Sequence, residues 1–275
     1  MGTTGSGSGT VAPVSRSGAT ALARRFGALR AGEMVLWFVG FLLVWEAFVR
    51  AFQVSDLLLP PPSEFLVRLY TGWDSIYPQA ITTAKLVIIG FLAGAIPAIP
   101  LGFAVVMVPF LQRTLYPFLV FLNVIPKVAL VPLLLVWFGF GGMPKVIVAA
   151  LLVFFPIMVN CIAGFQSLDP RLLQISRSMG ADPWQTLRHI RFPTAFPFIV
   201  SGMKISVVLA VTVVVVAEFV GSNDGLGYLI LRAVANHDLA LAFAALFVAG
   251  MIGLALTFVS NLLERLAMPW RTARA

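Results

Sequence analysis

The residues able to make or break bonds in this 275-residue chain are few and scattered. His189 and His237 are the only histidines, and Cys161 is the only cysteine, so no intrachain disulfide can form. No H-E-x-x-H pair is present to hold a zinc ion, no G-x-S-x-G turn to expose a nucleophile, and no G-x-x-x-x-G-K-[ST] loop to cradle a phosphate. Catalysis, a bound metal and a resident cofactor are therefore not expected. The remaining candidates are charges and amides set in apolar surroundings, which would hold or steer a solute. Lys127 follows Pro126 inside an apolar run, where a charge is expensive enough to imply a role. It is expected to face a pathway, to pair with a carboxylate, Glu218 being favoured, or to snorkel to a head group. Glu218 precedes the turn Gly221-Ser222-Asn223-Asp224-Gly225 and could close an outer gate or fix that loop. Asn223 belongs to the same candidate gate. Asn123 and Asn160 suit either a solute or a neighbouring helix, and Glu46 suits a structural contact.

These residues need a scaffold, and composition says which kind. The chain is 60% hydrophobic and 11% charged, far below the charged fraction of about 25% usual in soluble domains. Crossing a hydrocarbon core of about 30 Å takes about 20 helical residues, because only helices or closed barrels satisfy every backbone group there. Apolar runs without period-two alternation predict six helical spans: 34–49, 83–108, 114–138, 145–164, 198–219 and 239–263. Pro117, Pro126 and Pro132 should bend the third and free carbonyls along it. Gly90-x-x-x-Gly94 would allow close approach of the second span to a neighbour.

Basic residues orient the spans. With both ends inside, Arg16, Arg24, Arg25, Arg30, Arg113, Arg171, Arg177, Arg188, Arg191, Arg265, Arg271 and Arg274 fall in cytoplasmic segments. Only Arg50, Arg68 and Arg232 remain outside. The net charge of +8 thus reads as topology and attraction to anionic lipid. It does not suggest nucleic-acid binding, since the cations are divided among tethered loops. Residues 1–32, rich in Gly, Ser, Thr and Ala, are expected to form a disordered cytoplasmic tail, residues 33–265 the six-span domain, and 266–275 a second cytoplasmic tail.

One polar stretch, 165–197, interrupts the apolar pattern. Asp169-Pro170 signals a helix start, with Asp accepting from free amides and Pro at the first helical position. Leu172, Ile175 and Met179 recur at helical spacing, and Gly180 supplies a left-handed stop. Asp182-Pro183-Trp184-Gln185 repeats the start signal, with Gln185 placed to complete a capping box. The second helix is expected to run to about Arg191 and to break at Pro193. Two short helices joined at Gly180-Ala181 would project into the cytoplasm as an elbow.

The spacing of Gly180, nine residues, then Ile190-Arg191-Phe192-Pro193 resembles the coupling-loop pattern of binding-protein-dependent ABC importer permeases: E-A-A, three residues, Gly, nine residues, I-x-L-P. Phe192 replaces Leu, and Gln174, Ile175 and Ser176 stand where that family has E-A-A. Leu59-Pro60-Pro61-Pro62-Ser63, the run Pro126 to Leu133 closed by Trp137-Phe138-Gly139, and Ala217-Glu218-Phe219-Val220-Gly221 with Gly225-Leu226-Gly227-Tyr228 are similar to the sulfonate, taurine and nitrate branch. The resemblance implies an all-α, six-span permease of a type I importer in a bacterial inner membrane, with both termini cytoplasmic. It implies partnership with a second copy, a cytoplasmic ATPase dimer that binds ATP and magnesium, and an external substrate-binding protein. The ATPase contact would carry over to Gln174, Ser176, Met179, Gly180, Ala181, Asp182, Pro183, Trp184, Leu187, Ile190 and Pro193. A small organic or inorganic anion is the expected cargo, with a neutral vitamin precursor as the alternative. A secondary transporter would also carry broken helices and buried charge, but would have no use for a doubly capped elbow.

Overall fold

The computed structural model describes Glu33 and residues 36–268, and every regular element among them is helical. The expected tails, residues 1–32 and those from 269 onward, lie outside the described residues. The chain divides into two units, Met1–Ser55 and Asp56–Ala275. In the first, helix α1 covers 36–51, with Leu36, Trp37, Phe41 and Val44 all exposed as a lipid-facing helix requires. Glu46 pairs with Arg50 one turn along the same helix, at 2.6 Å.

The second unit begins with the short α2 (Pro62–Thr71) and the long α3 (Trp73–Met107). The apolar run predicts a start at residue 83, but the helix begins ten residues earlier. Its first turns carry Asp74, Ser75, Gln79 and Thr82, which are polar and therefore invisible to a search for apolar spans. At about 1.5 Å per residue α3 is much longer than the hydrocarbon is thick, so it projects beyond it.

The expected third span is not continuous. It consists of α4 (Pro109–Val124), a 3₁₀ turn (Lys127–Leu130) and α5 (Val131–Phe138), with the two halves bent by 79°. Pro126 explains the break. It drives Ile125 into an extended conformation, ψ 129°, and has no N–H to give the preceding turn. Pro117 is accommodated inside α4, and Pro132 lies in the first turn of α5. Two long helices follow, α6 (Gly142–Gln166) and, after the polar elbow, α9 (Phe192–Gly221). A short apolar helix α10 (Leu226–Ala235), which no span prediction anticipates, precedes α11 (Leu239–Ala267). Four helices among the described residues are long and apolar enough to cross a membrane, and the bent α4–α5 pair is apolar enough to form a broken span or a re-entrant loop.

Helix α6 packs between α3 and α9 and supplies the middle of the core: Val148, Val153, Ile157 and Met158 are buried against Val87, Ala98, Ala210 and Val214. In lipid, such association relies on close packing, because the surrounding chains are as apolar as leucine. Gly90 and Gly94 make that approach possible. A methyl added at Gly90 would sit 2.5 Å from Ala149 Cβ, and one at Gly94 2.4 Å from the Ala150 carbonyl. Ser206 Oγ on α9 donates to the Val153 carbonyl on α6 at 3.0 Å, satisfying a hydroxyl that would otherwise be stranded in the core.

At the other end of the bundle two buried titratable side chains, Glu218 and Lys145, pin the α9–α10 loop. Glu218, 1% exposed, accepts from Thr83 Oγ1 at 2.9 Å and from the Gly227 amide at 2.7 Å. Thr83 in turn accepts from the Leu226 amide at 2.8 Å, and Gln79 Oε1 accepts from the Gly225 amide at 2.6 Å. The free amides at the start of α10 thus find side-chain acceptors on α3 and α9. Gly225 is required here on two counts: its φ is +98°, and a Cβ would lie 2.1 Å from Glu218 Oε1. Lys145 on α6, 2% exposed, reaches Ser222 and Asp224 Oδ1, the latter at 3.1 Å. Partial burial raises the Asp224 carboxyl, but hydrogen bonds from Lys145 and Ser222, with the Lys145 charge, hold it below the usual carboxylate range.

Gly94→Leu should destabilise the detergent-solubilised protein by about 1–3 kcal/mol or more, read as a lowered unfolding midpoint. Gly250→Leu, where nothing lies within 4 Å of the added carbon, should leave the midpoint in place. Glu218→Ala should strand the Gly227 amide at a cost of about 1–3 kcal/mol and raise hydrogen exchange across residues 222–230. Glu218→Gln, which keeps an acceptor, should do so much less. Exchange unchanged in the alanine variant would remove Glu218 as the loop's anchor.

Candidate functional site

The polar stretch between α6 and α9 folds as its capping residues dictate. Asp169 accepts from the Arg171 amide at 2.8 Å and starts α7 (Pro170–Ser178), with Pro170 in the first turn. The helix ends at Gly180, φ +77°, whose amide bonds back to the Arg177 carbonyl while the Ala181 amide reaches the Ser176 carbonyl. A Cβ on Gly180 would meet nothing within 4 Å, so the left-handed backbone, not space, demands glycine there. Asp182 and Gln185 then form the expected capping box: the Gln185 amide donates to Asp182 Oδ1 at 2.8 Å, and Gln185 Oε1 accepts from the Asp182 amide at 3.2 Å. This starts α8 (Pro183–Thr186).

One expectation fails at this point. The second elbow helix does not break at Pro193 but runs on through a π turn (Leu187–Arg191) into α9, giving continuous helix from Pro183 to Gly221. The wider turn resolves the clash. The Phe192 amide bonds five residues back, to Leu187, and the loosened ring of backbone leaves room for the proline ring, which would otherwise strike the carbonyl four residues before it. The elbow is therefore joined to a core helix without a hinge.

The elbow residues divide into two faces. Met179 (81% exposed) and Trp184 (68%) stand outward with Leu172 and Ile175, and Gln174, Gly180, Asp182 and Pro183 are exposed beside them. Ser176 is buried, its hydroxyl bonded to the Leu173 carbonyl, and Ala181, Leu187, Ile190 and Pro193 are half-buried. Leu187 packs on a cluster of Cys161, Phe165, Ala195 and Ile199 that ties the elbow to α6 and α9. The outward face is an apolar surface on a polar projection, held by two core helices.

The remaining candidates do not converge on one site. Lys127 is not paired with Glu218, which accepts from Thr83 and the Gly227 amide. Instead Lys127 donates to the Asn123 carbonyl at 2.8 Å and to Asn123 Oδ1 at 3.1 Å, and lies 4.5 Å from the centre of the Phe155 ring. It thereby caps the C-terminal end of α4, where free carbonyls attract a cation. The lysine nearest the Glu218 network is Lys145, whose position at the start of an apolar run hides a partner 79 residues away. Asn160 donates to the Pro156 carbonyl of its own helix at 2.8 Å, not to another helix. Asn223 is exposed in the pinned loop. Lys204 on α9 and Glu264 on α11 form a further ion pair between spans. A mostly apolar cavity of about 440 Å³ lies between α3, α9 and α11, lined by Phe91, Phe196, Met203 and Leu256 among others, with Ser260 and Glu264 as its polar lining residues.

Comparison with known proteins agrees with this architecture. Residues 87–272, more than half of the chain, match the family described as the binding-protein-dependent transport system inner membrane component. The chain is 34% identical to the riboflavin transport system permease protein RibX of Chloroflexus aurantiacus over 234 residues, 84% of this chain and 87% of that one. It is 31% identical to the formylaminopyrimidine transport permease protein ThiX of Halalkalibacterium halodurans, covering 87% and 96%. The taurine transport system permease protein TauC of Escherichia coli is 27% identical, covering 83% and 86%. Among solved structures, an inward-facing conformation of the MetNI methionine ABC transporter superposes with a TM-score of 0.56 at 18% identity, over 68% of this chain and 95% of that one, which speaks for the fold. The chain belongs to the binding-protein-dependent transport system inner membrane component family and is a multi-pass permease subunit of an ABC importer in a bacterial inner membrane.

Proposed function

We propose that two copies of this chain form the translocation pathway of an importer for a small solute, and that a separate ATPase drives it through the 165–197 elbow. The observation that carries this reading is the elbow itself: two capped helices, an exposed apolar face at Ile175, Met179 and Trp184, and hinge-free continuity into α9. A partner that pushes on that face moves a core helix directly. Sixfold crossing of the membrane follows if α1 crosses as the first span, and the distribution of arginines supports cytoplasmic termini with the elbow on the same side. An external binding protein would deliver the solute to the side carrying the pinned α9–α10 loop.

For the cargo, the branch motifs favour an anion, while two observations favour a neutral heterocycle of the vitamin-precursor kind. The Lys127 charge is already engaged by α4 carbonyls and the Phe155 ring, so it is not a free anion receptor. The relatives named for riboflavin and formylaminopyrimidine also share more identity with this chain than the taurine relative does.

Met179→Glu combined with Trp184→Ala should reduce co-purification of the partner ATPase by about tenfold or more, as loss of a central aromatic anchor does, while membrane insertion is unchanged. Equal binding would remove the elbow from the coupling role. Lys127→Met should retain uptake of a neutral heterocycle within about twofold, since no transition in that reading uses its charge, a change of about 0.4 kcal/mol at most. Abolished uptake in a normally assembled Lys127→Met transporter would restore the anion reading.

A further inference from the structure

The inner corner of the elbow encloses a cavity of about 460 Å³ between α7, the α8–α9 turn and the last turns of α3. Its floor is apolar, with Phe103, Met107 and Leu187, and its rim carries Arg177 and Arg191 beside Trp184. Neither arginine has a carboxylate partner among the described residues: no ion pair there involves them, and the two acidic residues of the elbow, Asp169 and Asp182, are occupied as caps. Arg191 is half-buried, and its guanidinium donates to the thioether sulfur of Met107 at 3.0 Å, one of the weakest acceptors a protein offers. A guanidinium kept partly out of water without an anion is costly, and its planar fork matches a phosphate.

Position decides which phosphate. Met107 is the last residue of α3, a helix that crosses the membrane, and Arg191 stands at the foot of α9. The two arginines therefore mark the polar boundary of the bilayer, and Phe103 lies one turn deeper. A free phosphate would use the arginines and leave the apolar floor unfilled; a phospholipid would use both. Basic pockets between spans on the cytoplasmic side are where anionic head groups are recognised. We propose that the inner corner of the elbow binds the head-group phosphate of an anionic phospholipid from the cytoplasmic leaflet, with Arg191 and Arg177 on the phosphate and the first acyl segment against Phe103 and Met107. The lipid fills the space between the elbow and the last turns of α3, with Trp184 at its edge, so its presence stiffens the elbow against a push received at Ile175 and Met179. The proposal rests on the cytoplasmic placement of the elbow given above, but not on the identity of the ATPase.

The test is native mass spectrometry of the full-length permease, taken without its ATPase from bilayers of phosphatidylcholine containing phosphatidylglycerol. The native chain should retain phosphatidylglycerol in preference to phosphatidylcholine. Arg191→Gln should weaken that retention about tenfold, Arg177→Gln should weaken it less, and Arg191→Lys should restore part of it. Arg188→Gln, an exposed neighbour that does not line the cavity, should behave as the native chain does. Because Arg177 is exposed, its variant tests the site even if Arg191→Gln misfolds. Equal retention in all variants, or no preference for the anionic lipid, overturns the proposal. Displacement of the lipid by inorganic phosphate or glycerol 3-phosphate also overturns it, since the site would then belong to a soluble anion. Because the ATPase is absent from this measurement, failure of the coupling reading would leave its outcome unchanged.

Discussion

Within a bilayer every backbone N–H and C=O must find a partner in the protein, and this chain is organised by how it meets that demand wherever a helix is interrupted. At the α4–α5 break, where Pro126 ends the ladder, Lys127 folds back onto the Asn123 carbonyl. At the start of α10, where amides would be stranded, Glu218, Thr83 and Gln79 receive them. At Pro193 the backbone widens into a π turn rather than breaking. Each solution spends a polar side chain or a local distortion to keep the backbone satisfied. Several residues that look poised to handle a solute are thereby shown holding the structure together.

The elbow was the most legible part of the sequence because its code is local. An Asp-Pro start, a glycine stop and a capping box act within four residues of one another, so reading them in order yields α7, the turn and α8 nearly as they stand. The long helices were legible only where they are apolar: α3 begins in polar residues and extends beyond the hydrocarbon, so its upper turns escape a search for spans. The fate of the prolines was legible in kind but not in degree. Pro126 breaks a span into halves at 79° and Pro117 does not, a difference that the presence of a proline alone does not encode. Pairings between distant segments, such as Lys145 with Asp224 and Thr83 with Glu218, leave no trace in spacing. That is why Lys127 is expected beside Glu218 but is found on the Asn123 carbonyl, while Glu218 accepts from Thr83 and the Gly227 amide.

The division of labour that results is simple. One end of the bundle is locked by buried polar side chains that fix a loop and a short helix; the other carries a capped projection with an apolar outer face. Between them α6 is held against α3 by glycines and against α9 by side-chain packing and the Ser206 hydrogen bond. A displacement applied to α8 enters α9 along one continuous helix, and α9 carries at its far end the glutamate that anchors the α9–α10 loop. Such continuity is what a permease worked from one side of the membrane requires.

The most direct test of this account is cysteine cross-linking from single positions of the elbow to the ATPase in native membranes, with Cys161 first replaced by alanine. The account predicts that Met179→Cys and Trp184→Cys cross-link and that Ser176→Cys and Leu187→Cys, on the inward face, do not. Cross-linking from the inward pair, or from none of the four in an otherwise assembled complex, would contradict it.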